Sequence, residues 1–137
     1  MTRNILSTLV LAALVLTSAV LSACSSPLVG RWDGMADLGP IDAWPVKLQL
    51  AKDGQSGQVS WQEQGSVWRT FSACRVHLQG RQFEVEFDLA QPECGSGAQR
   101  DRRVLRGTVG DRLLFGEILG SDKAVGFFRA YAVDAAP

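Results

Sequence analysis

The sequence predicts an all-β fold of about eight antiparallel strands following one another in an up-and-down meander. Three observations carry this. Short segments alternate apolar and polar residues with period two, the pattern of a strand with one buried face. Turn dipeptides rich in glycine separate them: Asp53-Gly54, Gln64-Gly65, Gly80-Arg81, Gly110-Asp111 and Gly120-Ser121. No ten-residue window beyond residue 24 places apolar residues at helical spacing between caps as regularly as these segments alternate.

The strands follow in order. The first, 28–36, contains Leu28-Val29-Gly30-Arg31-Trp32. In 44–52, Val46, Leu48 and Leu50 share one face, with Lys47 and Gln49 on the other; in 57–63, Val59 and Trp61 alternate with Ser60 and Gln62. The run 66–79 is too long for one straight strand and is expected to bend or bulge near Ser72-Ala73, after which Val76 and Leu78 alternate with Arg75, His77 and Gln79. The clearest strand is 82–89, where Phe83, Val85, Phe87 and Leu89 alternate with Glu84, Glu86 and Asp88. The series ends with 103–109, 112–118 and 124–133. Closing such a meander into a barrel would remove exposed strand edges; a two-sheet sandwich is the alternative.

Gly30-Arg31-Trp32 places a Gly-x-Trp on the first strand, and the last strand carries Arg129. With the meander, this resembles the calycin superfamily of lipocalins and avidins. The resemblance implies a calycin-like barrel with Trp32 packed across its closed end and Arg129 covering it as a cation over a ring. No biotin-binding residue of the avidin type finds a counterpart here.

The N-terminus supplies an address. Arg3 precedes an apolar run, Ile5 to Val20, which Leu21-Ser22-Ala23-Cys24 closes. This resembles the lipobox of bacterial lipoproteins. It implies that 1–23 is a removed signal, that Cys24 carries a diacylglycerol thioether and an acyl chain such as palmitate, and that 24–27 is a short tether to a single barrel domain, 28–137. Two or more chains anchor stably where one does not. Ser25, rather than Asp, follows the cysteine, which resembles default sorting to the outer membrane, on its periplasmic face, if the cell is Gram-negative.

Composition bounds the rest. After residue 23 there remain 114 residues, enough for one core. They hold thirteen basic and fourteen acidic residues, a formal charge of −1, so no basic field exists for nucleic acid. With Cys24 taken by lipid, Cys74 and Cys94 remain, and in an oxidising compartment they read as a disulfide. Their spacing is not that of a redox-active CxxC pair.

No catalytic constellation, metal set or cofactor motif emerges. His77 is the lone histidine, on a polar strand face with no second ligand at a metal spacing. Gly95-Ser96-Gly97 lacks the strand-to-helix setting of a nucleophile elbow. Glu84, Glu86 and Asp88 read as a solvated stripe facing Arg102, Arg103 and Arg106 of the next strand, because alternate strand residues stand roughly 7 Å apart and do not converge on one ion.

The eleven aromatics are mostly barrel filling. Trp44, Trp68 and Phe127 are the candidates for binding: Trp44 in the Asp37–Trp44 loop at a barrel mouth, Trp68 because it points opposite to Val67 and Phe71, and Phe127 because it adjoins Phe128, so that one of each set is expected outside or at a barrel mouth. The expectation is therefore a non-enzymatic binding module, lipid-anchored in the bacterial envelope, that takes a small apolar ligand or an envelope protein at a barrel mouth. Fold analogy adds periplasmic inhibitors of lysozyme or of proteases, with the loop Gln91–Asp101, pinned by Cys94, as the plug. An accessory role in an envelope complex completes the set.

Overall fold

A computed structural model describes residues 26–39, 43–63, 67–94, 101–121 and 123–133. Cys24 and the signal segment lie outside these, as do Pro40, the Gln64-Gly65 turn and residues 95–100. The described residues form nine antiparallel strands: β1 (Gly30–Asp37), β2 (Ala43–Leu50), β3 (Gly57–Glu63), β4 (Val67–Ser72), β5 (Arg75–Gln79), β6 (Gln82–Asp88), β7 (Arg102–Val109), β8 (Leu113–Gly120) and β9 (Lys123–Ala132). They make one sheet in the order β4-β3-β2-β1-β9-β8-β7-β6-β5. It is an up-and-down meander, curled into a half-barrel, and not a sandwich.

The count is nine because the long run 66–79 breaks in two. The break is an exchange of partners. Ala73 N donates to Gly57 O of β3 at 2.8 Å, and the next amide, Cys74 N, donates to Glu86 O of β6 at 2.6 Å. β4 and β5, the two edges of the sheet, are thus consecutive in the chain. At the opposite point of the meander, β1 pairs with both β2 and β9.

The turns follow their residue types. Between β2 and β3, Gly54 takes the left-handed conformation (φ +67°), and the Asp53 carboxylate accepts hydrogen bonds from Gln55 N at 2.9 Å, Ser56 N at 3.0 Å and Ser56 Oγ at 2.8 Å. The amide of Gln55, then the hydroxyl and amide of Ser56, favour the ionised form and hold this carboxyl below the ordinary aspartate range. Its contribution is present above that range and fades as pH falls through the lowered native value.

One face of the sheet is buried. Trp32, Ala36, Val46, Leu48, Val59, Trp61, Phe71, Phe83, Val85, Phe87, Leu105, Leu114, Ile118 and Phe128 form one cluster, with Leu28 packed into it from the turn before β1. The rings close the curl. Trp61 stands edge-on to Trp44, Phe71 and Phe87, at centroid distances of 5.8, 6.0 and 5.4 Å. Phe71 of β4 lies 5.6 Å from Phe87 of β6, so aromatics span the gap between β4 and the other end of the sheet.

Two glycines allow the other tight bend. In register, Phe83 pairs with Gly107, Gly107 with Gly116, and Gly116 with Phe128. The two phenylalanines are separated by two strands, yet their rings meet at 5.9 Å. The glycines between them leave the room: a Cβ on Gly116 would lie 2.0 Å from Arg106 O, and one on Gly107 2.1 Å from Phe115 O. Aromatic cover over bare glycines is a recurrent way to bend a sheet.

The disulfide forms as expected. Cys74 and Cys94 are bonded, with Cα atoms 5.2 Å apart and a sequence separation of 20. The bridge, with Ser72 N donating to Pro92 O at 2.7 Å, fastens the segment after β6 onto the point where β4 becomes β5.

Two outcomes check this architecture. Gly116→Val is expected to destabilise by on the order of 3 kcal/mol, since the added atoms meet backbone that cannot rotate away. Urea unfolding followed by tryptophan fluorescence reads it, and a change under about 1 kcal/mol would show that the bend does not depend on a bare backbone there. Replacing Cys74 and Cys94 together by serine is expected to cost about 3 kcal/mol by freeing the loop in the unfolded chain, read as a lowered urea midpoint with an intact far-UV spectrum.

Candidate binding groove

The residues pointing away from the core define the site. Alternation puts Asp33, Met35 and Asp37 of β1, Phe127, Arg129 and Tyr131 of β9, Phe115 and Glu117 of β8, and Arg106 and Thr108 of β7 on the outer face. The register lines them up in rows. Met35 pairs with Arg129, Arg129 with Phe115, and Phe115 with Thr108. One step along the strands, Asp37 pairs with Phe127, Phe127 with Glu117, and Glu117 with Arg106. Arg129 is thus flanked by Met35 and Phe115 across the strands and by Phe127 and Tyr131 along its own.

These four apolar side chains are large and exposed: Met35 46%, Phe115 45%, Phe127 65% and Tyr131 54%. They border a groove of about 1030 Å³ that opens to solvent and reaches the backbone at Gly34, Gly107 and Gly116. The groove lies on the outside of the sheet and not within the curl. Single exposed apolar residues are ordinary, but several together, ringed by charge, mark an interaction surface.

Of the three binding candidates read from the sequence, Trp44, Trp68 and Phe127, Phe127 is the one that lies in this groove. Trp44 is half-buried and packs edge-on against Trp61, as part of the core. Trp68 is on the outer face, 39% exposed, at the sheet edge with Lys47 Nζ 4.4 Å from its ring centroid. Trp32 and Arg129 do not meet. Trp32 is buried, its indole N–H donating to Leu28 O at 3.0 Å, while Arg129 is exposed on the other face. The pairings of Trp32 with Ala132 and of Met35 with Arg129 set the two on opposite sides of the sheet. Leu28, whose carbonyl accepts that bond, is itself buried in the core cluster with Trp32.

The charged stripe pairs largely as its register dictates. Arg106 Nε donates to Glu84 at 2.9 Å, Arg102 to Glu86 at 2.5 Å, and Arg75 reaches Glu84 at 3.3 Å and Glu86 at 3.6 Å. Such exposed pairs contribute little to stability and more to register. Two residues depart from it. Arg103 stands opposite Phe87 in register and donates to the carbonyl of Arg102, and Asp88 is buried, one oxygen accepting from Ala90 N at 2.9 Å. His77 is exposed on β5, opposite Glu84 in register. Among the described residues no three of His, Cys, Asp and Glu gather as a metal site.

Met35, Phe115 and Tyr131 escaped the sequence reading. Phe115 breaks a recognisable pattern: in Leu114-Phe115-Gly116-Glu117-Ile118 the aromatic holds the polar phase of the alternation, as Glu117 does. Comparison of the chain with protein-family models, curated proteins and solved structures gave no match.

Phe127 and its neighbour Phe128 offer a direct check. Phe127→Ser is expected to change stability by less than about 0.5 kcal/mol, because its ring is already in water. Phe128→Ala, which empties a core position beside Phe83, is expected to cost about 3–5 kcal/mol. Equal losses in thermal or urea unfolding would contradict the two faces assigned here.

Proposed function

We propose that this chain is a non-enzymatic binding module, lipid-anchored through Cys24 in the bacterial cell envelope, that holds a protein partner against its outer groove. The observation that carries the reading is the contrast between the two faces. The inner face is packed with rings, whereas the outer face leaves four large apolar side chains in solvent. A lipocalin-like mode needs interior volume; here Trp44, Trp61, Phe71 and Phe87 occupy the middle of the curl. A broad, open, apolar groove edged by charges of both signs suits another protein surface better than a small molecule, which needs burial over most of its area.

The lipobox supplies the address. Only residues 25–29 separate Cys24 from β1, so the domain would sit near the membrane surface. The inhibitor reading is set behind this one, since its support is the disulfide-pinned loop and a fold analogy.

The test uses the full chain expressed in a bacterium. Labelled palmitate is expected on the wild type and absent from Cys24→Ser. A photo-crosslinking residue at Met35 is expected to give discrete protein adducts, and one at Gln49, on the outer face of β2 away from the groove, is not. Equal adducts at both positions, or none at Met35, would overturn the groove as the docking face; labelling unaffected by Cys24→Ser would overturn the anchor.

A further inference from the structure

We infer that the occupant of the outer groove is a basic, amphipathic segment of another protein, one that sets two cationic side chains on either side of an apolar one. The inference rests on the reading of the groove as a protein-docking face and names the chemistry of the partner.

The argument starts from the charges around the apolar side chains. Asp33, Asp37 and Glu117 line the groove against Arg129, and none of the four has an ion pair among the described residues. The cations across from them are engaged elsewhere. Arg106, opposite Glu117, is held by Glu84 at 2.9 Å. Lys47, opposite Asp33, lies with its Nζ 4.4 Å from the Trp68 ring centroid. Asp37 accepts a backbone bond from Gly39 N at 3.2 Å and keeps its charge uncompensated. Three carboxylates thus face one guanidinium around Met35, Phe115, Phe127 and Tyr131. A second copy of this face, or an anionic phospholipid surface, would bring like charges together. A cationic surface complements it.

The register says where the cations go. Phe127 stands between Asp37 of β1 and Glu117 of β8. Neighbouring strands run about 4.8 Å apart, so a carboxylate flanks this ring on each side. The ring is 65% exposed. A lysine or arginine laid over it meets an aromatic ring and two carboxylates, and both kinds of group attract a cation. Towards the start of β1, Asp33 pairs with Tyr131, which repeats the combination with one carboxylate. Asp33 and Asp37 are four residues apart on one strand, which places them about 13 Å apart. Between these two ends lies the row of Met35, Arg129 and Phe115. That row is apolar and carries the one unpaired cation of the groove, so it repels a third basic residue and takes an apolar one. Residues i and i+4 of an extended segment are also about 13 Å apart and share a face with residue i+2. A segment reading basic, apolar, basic at those three positions fits the groove end to end.

The experiment measures fluorescence anisotropy of short labelled peptides against the chain beginning at Ser25, which holds every described strand, the whole core and the disulfide. The first peptide has lysine at i and i+4 and leucine at i+2, with serine between. The second has the same composition with a lysine moved to i+2 and the leucine to i+4. The third carries glutamate in place of both lysines. The first is expected to bind, the second several-fold more weakly, and the third at least about tenfold more weakly. D37N/E117Q is expected to weaken the first peptide by about tenfold or more, and R129Q to tighten it, since the opposing cation is gone. F127S is expected to abolish binding. Asp111→Asn removes an exposed carboxylate from the turn before β8, away from the groove, and is expected to change the affinity by less than about twofold. Far-UV spectra and urea midpoints check that every variant is folded.

No binding of the first peptide at millimolar protein, equal binding of the first and third, or equal losses in D37N/E117Q and Asp111→Asn would overturn the inference. Binding of neutral phospholipid vesicles in preference to the peptides, lost in F127S, would replace the protein occupant with a membrane. The docking reading is decided separately: peptides that bind regardless of charge yet are lost in F127S, or crosslinks at Met35 to a protein without such a segment, would keep the groove as a docking face while removing the basic occupant.

Discussion

Among the described residues the buried face of this sheet has no helix and no second sheet to pack on, and it packs on itself. Every other feature follows from that constraint. A flat nine-stranded sheet would leave Phe71, Phe83, Phe87 and Phe128 in water, and each buried ring is worth on the order of 2–3 kcal/mol. Curling brings them together. It needs a partner exchange where the sheet's ends meet and a sharp bend opposite, and the chain provides both: the successive amides of Ala73 and Cys74 that bond to β3 and then to β6, and the bare backbone at Gly107 and Gly116. The disulfide reinforces the first of these, because Cys74 sits at the exchange itself.

The same constraint explains why the site is outside. Trp44, Trp61, Phe71 and Phe87 pack against one another in the curl, and the rings cannot be thinned without loss of the contact that closes the sheet. The proposed docking role therefore falls to the outer face, where side chains are free of packing duty. There the strands still impose a two-residue period, so four apolar residues stand in an ordered grid among charges of both signs.

The fold was legible at the level of strands and turns, since both depend on neighbours in sequence. Alternation around Phe83, Val85 and Phe87 and the Asp53-Gly54 turn are local properties, and the structure reproduces them. The bend near Ser72-Ala73 was legible too, because a run of that length cannot remain one straight strand. Less of the site could be read. Phe127 was visible as an aromatic out of phase, but Phe115 and Met35 acquire meaning only beside Arg129, and they come from different strands. Trp32 and Arg129 show the converse: a resemblance brought them together, and the register of β1 against β9 separates them by three residues, an odd number, which for a strand means opposite faces.

What the sequence determined by itself was the strand set, the turn positions, the cysteine pair and the charges on each segment, because each is written in spacing along one stretch of chain. Tertiary structure alone decided the register between strands distant in sequence, the division of aromatics between a filled interior and an exposed groove, and the pairing of Arg106 with Glu84 that leaves Glu117 free. The reason is that register is a relation between segments. A strand carries two faces with equal fidelity, and only its neighbours in the sheet decide what each side chain meets.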